Sequence, residues 1–195
     1  MVSAARRRPP APARVDAQRN HERVLDAADA LFTAEGATAS TGHVAARAGV
    51  GVGTVYRHFP TKAALLDAVV ARRLDRLASE AERLAAVDDA GAAFDRFFRK
   101  VGLWAATGEL LAEAFTGEGS GVDGSRARFE RAVEALLARA QAAGAIRGDV
   151  LAADVLALFA GATRVAVPAG RPADDGRDPA LPLDVMLQGL RPPPA

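Results

Sequence analysis

Thr54, Tyr56, Arg57 and His58 place four hydrogen-bond donors within five residues, about one and a half turns if the segment is helical. Val55 and Phe59 are four residues apart, so they share one helical face and leave the donors on others. Such a rod, apolar beneath and rich in donors above, suits recognition of phosphates and base edges in a duplex. Other chemistries are poorly supplied. The chain has no cysteine, which excludes disulfides, thiolate metal sites and a cysteine nucleophile. Its three histidines, His21, His43 and His58, show no metal-ligand spacing with a carboxylate. His58 is read as a phosphate donor, and His21 and His43 as solvated surface residues. GVGVGT, residues 49–54, has the glycines of a dinucleotide loop but follows a predicted helix, not a strand. No nucleophile, base and orienting group stand together. The expectation is therefore a binding protein, not an enzyme, with no metal and no cofactor.

The elements that must hold this rod are written around it, in STGHVAARAGVGVGTVYRHFPTKAALL, residues 40–66. Thr41 is placed to cap a short helix whose Val44, Ala45 and Ala48 form a small apolar face. Gly49 follows where a chain leaving a helix takes positive φ, and Val50 plugs the turn. Gly51 to Thr54 open the second helix. Gly51 and Gly53 weaken it but allow close approach of its N-terminal end to DNA. Pro60 ends it, and Thr61 can cap the next. Two readings stay open on pattern alone: a helix-turn-helix that enters the major groove, and a helical hairpin with a solvated polar face.

The string AGVGVGTVYRHFPTKAALL resembles the DNA-binding signature of the TetR family of bacterial transcriptional regulators. The resemblance extends upstream through RVLDAADALFTAEGATAS, includes the step Phe59-Pro60-Thr61-Lys62, and covers about a quarter to a third of the chain at high specificity. It implies that Thr41, Gly53, Thr54, Tyr56 and His58 touch DNA, with Lys62 on a phosphate. Two positions depart from the pattern. Gly42 replaces a polar contact residue, and Gly51 replaces the serine that would cap the second helix. Base reading then rests on Arg57, Thr54 and backbone approach.

Composition agrees with an all-α chain. Half of the 195 residues are hydrophobic but only 5% are aromatic, so Ala, Leu and Val must build much of the core. Net charge is only +1, but its distribution is uneven. Residues 1–62 carry nine Lys/Arg against five Asp/Glu, and the remainder sixteen against nineteen. A basic head on an acidic body suits a head that meets phosphate. Residues 1–15, with Arg6, Arg7, Arg8 and Arg14, read as a disordered basic arm. They lack the apolar core of a signal peptide, and no apolar run reaches the ~20 residues of a membrane helix. The expected location is the cytoplasm.

The domain reading is a helix-turn-helix domain at 16–62 and a helical ligand-binding and dimerisation body at 63–195. Val24, Leu25, Ala28, Leu31 and Phe32 mark a first helix from about Asn20 to Glu35, stopped by Gly36. Phe32 and Phe59 are expected at the centre of the head. A long helix from Thr61 to about Ala86 carries Leu66, Val69, Val70, Leu74, Leu77, Ala81 and Leu84, and reads as a lever between head and body. Asp88-Asp89 caps the next helix, which breaks at Gly108. A short helix over 109–115, a glycine-rich loop over 116–125 and a helix ending near Gly144 follow. Asp149 is expected to open another helix. The segment 168–178 reads as a mobile loop, and Asp178-Pro179 starts the last helix.

Phe94, Phe97, Phe98, Trp104, Phe115 and Phe129 either line a ligand cavity or simply pack the core, with Arg99, Thr107, Glu109 and Glu113 the polar residues nearby in sequence. Val155, Leu158, Phe159, Thr163, Val185 and Leu190 either face a second copy or form a buried pair of helices in a monomer. The resemblance implies the homodimer, a small and largely apolar effector, and an inverted-repeat operator in double-stranded DNA. The implied function is transcriptional regulation, most simply repression relieved by the effector. The alternative is an all-helical interaction module whose helix-turn-helix binds protein.

Overall fold

The computed structural model describes residues 12–106, 122–165 and 181–193. Among them the chain is all-α, with eight helices and no strand. Helix α1 spans Pro12–Glu35, α2 Thr41–Ala48, α3 Val52–His58, α4 Lys62–Leu84 and α5 Ala90–Ala106. Helix α6 spans Asp123–Ala142, α7 Ala152–Val165 and α8 Leu181–Gly189. Two compact units divide between Leu65 and Leu66, within α4.

In the first unit α1 packs against α2 and α3. Val24, Leu25, Ala28 and Phe32 of α1 are buried, as are Val44, Ala45 and Ala48 of α2 and Val55 of α3. Phe59 and Leu65 complete this core. Leu31 is half-buried. Helix α1 starts eight residues earlier than its periodicity suggested. Proline is well suited to a first helical position, so residues 12–15 belong to α1 and not to the basic arm. The segment 1–11, with Arg6, Arg7 and Arg8, lies outside the described residues. At the other end Gly36 takes φ +63° and opens a single 3-10 turn, Gly36–Thr38.

In the second unit α5 packs against α6, α7 and α8. Leu74, Phe97, Phe98, Leu136 and Phe159 anchor one continuous core. Arg128 of α6 ties itself to α4, donating to Ser79 Oγ at 2.9 Å and to both carboxylate oxygens of Glu82. Helix α8 is fastened to α5 by crossed ion pairs, Arg99 with Asp184 and Arg191 with Asp95. Gly102 lies so close to Leu183 that a Cβ there would collide with its side chain.

Asp89 caps α5, accepting from the Ala92 N–H at 2.9 Å. Gly144 takes φ +70° just after α6. Asp149 does not open α7. It forms a bidentate pair with Arg147, at 2.6 and 2.7 Å, whose hydrogen bonds hold its carboxyl below the ordinary range. Helix α7 begins three residues later, where Asp154 reaches back to the Leu151 N–H at 2.8 Å. The predicted break at Gly108, the helix over 109–115, most of the glycine-rich loop, the loop over 168–178 and the Asp178-Pro179 cap lie outside the described residues. Residues 123–125 of that loop are already helical.

Candidate nucleic-acid interface

The turn between α2 and α3 follows from three local devices. Ser40, in extended geometry, caps α2 by accepting from the His43 N–H at 3.1 Å. Thr41, the predicted cap, is instead the first helical residue, since only a residue outside the helix can turn its side chain onto those N–H groups. Gly49 closes α2 in the left-handed region, φ 63° and ψ 39°, with Val50 N–H bonding back to Ala45 O at 3.1 Å. Arg23 of α1 donates to Gly49 O at 3.3 Å, which pins the turn to the first helix. Gly51 begins α3 with no side-chain cap, as its lack of a hydroxyl requires.

This arrangement divides α3 into two faces. Val55 is fully buried and Phe59 is 5% exposed. Tyr56 is 47% exposed, Arg57 is exposed, and Thr54 is half-buried. Gly53 is exposed with no atom within 4 Å of where a Cβ would stand, so no contact inside the protein demands glycine there. The Thr41 and Tyr56 hydroxyls lie 3.1 Å apart and link α2 to α3. His58 is half-buried, edge-on to His21 with ring centroids 5.5 Å apart, and His21 stacks on Phe59 at 4.9 Å. Far from being merely solvated, His21 is a packing residue between α1 and the end of α3. Lys62, half-buried, is the first residue of α4, and Thr61 caps that helix by accepting from the Ala64 N–H at 3.0 Å. Thr41, Thr54, Tyr56, Arg57 and His58 thus gather on α2 and α3, and Lys62 follows on the next helix. The described residues hold no group of three or more His, Cys, Asp or Glu placed for a metal.

The residues singled out in the body divide differently. Phe94, Phe97, Phe98 and Phe129 are each at most 1% exposed and sit in the core. Phe97 meets Phe129 at 6.3 Å, and Phe98 meets Phe159 at 5.0 Å. Trp104 is half-buried, with the Arg73 guanidinium 5.2 Å from its ring centroid. Phe115, Thr107, Glu109 and Glu113 lie outside the described residues. Of the positions expected to face a second copy, Val155, Phe159 and Leu190 turn into their own chain's core, because periodicity marks an apolar face without saying what covers it. Leu158 is half-buried, Val185 is 61% exposed, and the Thr163 side chain is outside the described residues. Leu181, one turn before Val185 on α8, is also exposed.

A helix-turn-helix head followed by an all-helical body defines a class, and comparison with known proteins identifies it. Residues 24–69 match the family model of bacterial regulatory proteins of the tetR family. Residues 89–192 match that of the transcriptional regulator SbtR-like C-terminal domain. A TetR transcription regulatory protein from Mycobacterium vanbaalenii is 38% identical with a TM-score of 0.66, over 92% of this chain and 99% of that one. A TetR transcriptional regulator from Streptomyces coelicolor is 32% identical with a TM-score of 0.67, over 89% and 99%. An HTH-type transcriptional regulator from Staphylococcus aureus is 41% identical over 63 residues, which are 32% of this chain and 34% of that protein. The match to such curated relatives thus spans about a third of their length. The chain belongs to the TetR family of bacterial transcriptional regulators.

Proposed function

We propose that this protein is a homodimeric repressor that binds an inverted-repeat operator through α3 and is released by a small, largely apolar effector bound in the body. The observation that carries the reading is the division of α3. Val55, with Phe59 just past the helix, is buried, and Val52, Gly53, Tyr56 and Arg57 face outward where a duplex can reach them. Arg57 supplies the forked donor that suits guanine or phosphate, Tyr56 supplies a hydroxyl with that of Thr41 beside it, and Lys62 supplies a positive charge for a phosphate. Gly53 admits the DNA backbone closely. Thr54 and His58 flank these groups. The exposed Leu181 and Val185, with half-buried Leu158, support a partner surface on α7 and α8. The effector is read as entering the body beside the aromatic core of the second unit, where half-buried Trp104 and Arg73 would offer a polar edge. An effector releases DNA only by binding the DNA-incompetent state more tightly. Anisotropy of a labelled random-sequence duplex tests the DNA step. Affinity should fall steeply with salt, about a thousandfold between 50 and 200 mM if a dimer covers six phosphates. Absence of binding at 50 mM salt would overturn the reading.

A further inference from the structure

The 3.1 Å contact between the Thr41 and Tyr56 hydroxyls joins the first residue of α2 to the middle of α3, fifteen residues further along the chain. Ser40 already caps α2, so the Thr41 hydroxyl is not occupied with the helix terminus. Val55 and Phe59 carry the packing of α3, and the Tyr56 ring is nearly half exposed. An exposed tyrosine has several staggered orientations open to it, and a bond at its far end selects one. Each hydroxyl carries a single proton and can also accept. Their mutual bond therefore consumes one proton and leaves the other to point away. The phenol is the stronger acid of the two, so donation from threonine to tyrosine leaves the better donor facing outward.

We propose that Thr41 and Tyr56 form a two-hydroxyl relay: Thr41 donates to the Tyr56 oxygen, and Tyr56 donates to one non-bridging phosphate oxygen of the duplex. Thr41 is then a positioning residue that acts through Tyr56 and makes no separate contact with DNA. The inference rests on the DNA-binding reading above and adds how one phosphate is taken. Donation into the phenol oxygen polarises its O–H, and the charged phosphate acceptor strengthens the outer bond. The ring is also oriented before DNA arrives, so less rotamer freedom is lost on binding.

The relay predicts coupling where two separate contacts predict additivity. The wild type, T41V, T41S, Y56F and the T41V/Y56F double variant are titrated with one duplex, isolated from a random pool with the wild type, at fixed salt. Helicity and the thermal midpoint are measured alongside, and T41A replaces T41V if valine unfolds the head. Y56F should weaken binding about tenfold, as expected for a hydrogen bond to a charged group. T41V should lose a comparable factor, the double variant should bind no worse than Y56F, and T41S should restore affinity to within about twofold of the wild type. If the two single losses multiply in the double variant, or if T41V binds like the wild type, the relay is wrong while the DNA-binding reading stands. If the wild type binds no duplex, the function reading fails and takes the relay with it.

Discussion

Phe32 illustrates what a single side chain contributes to presenting the donors of α3. Its ring is 1% exposed within the small core that joins α1 to α2 and α3. A head this small has few large apolar groups to spare, and among its described residues only Phe59 is buried and of similar bulk. Phe32→Ala should destabilise the head by about 3–5 kcal/mol, through lost burial and the cavity left behind. Amide hydrogen exchange resolved to α1–α3 checks this, since protection there should drop while α5 and α6 keep theirs. Equal loss in both units would mean that the head has no core of its own. Phe32, Val55 and Phe59 were legible in the sequence because large apolar residues at helical spacing have few alternatives to burial. The Thr41–Tyr56 bond was not, because hydroxyls fifteen residues apart carry no periodic signal. The cap of α2 was misread by one residue for a related reason. Ser40 and Thr41 are adjacent and both can cap, and only the backbone angles decide between them. Leu65 and Leu66 pose the same problem. Both fit a helix, yet Leu65 is buried and Leu66 half-buried, a rotation of about 100° that sequence spacing leaves open.

At the scale of the element, α3 is a seven-residue helix that carries a glycine in its first turn. Gly53 costs helix stability, and nothing inside the protein occupies the space a Cβ would fill. The proposed function supplies a reason from outside the protein, close approach of a duplex backbone. Gly53→Ala should therefore raise head stability by about 0.5–1 kcal/mol while weakening duplex binding about tenfold or more. Denaturant unfolding and anisotropy on the same variant check the two halves of this prediction. Gain of stability without loss of affinity would show that α3 does not come close to DNA at this point. The ends of α2 and α3 and the start of α4 were legible because Gly49, Pro60 and Thr61 mark them with local chemistry, whereas the start of α1 at Pro12 was not. The lower half of the chain was less so. Asp149 looked like an N-cap, but Arg147 two residues earlier takes its carboxylate. The fastening of α8 to α5 pairs Arg99 with Asp184, 85 positions apart, which no local pattern announces.

At the scale of the molecule, the sequence implied a basic head, an acidic helical body and a symmetric partner. The all-α architecture and the family agree with the helical part of that outline, and the symmetric partner belongs to the proposed function. The proposed dimer surface was the hardest part to read. Apolar periodicity on α7 and α8 cannot distinguish burial against the chain's own core from burial against a copy. Val155, Phe159 and Leu190 take the first role, and Leu181 and Val185 remain outward. A dimer that presents two copies of α3 requires two half-sites related by a two-fold axis, with centres ~34 Å apart or a multiple of that. Selection of bound duplexes from a random pool, at low salt and with the full-length protein, tests this most directly. The account predicts enrichment of an inverted repeat whose half-site centres lie about one helical turn, or a whole number of turns, apart. Recovery of single unpaired sites, or of no common sequence, would contradict it.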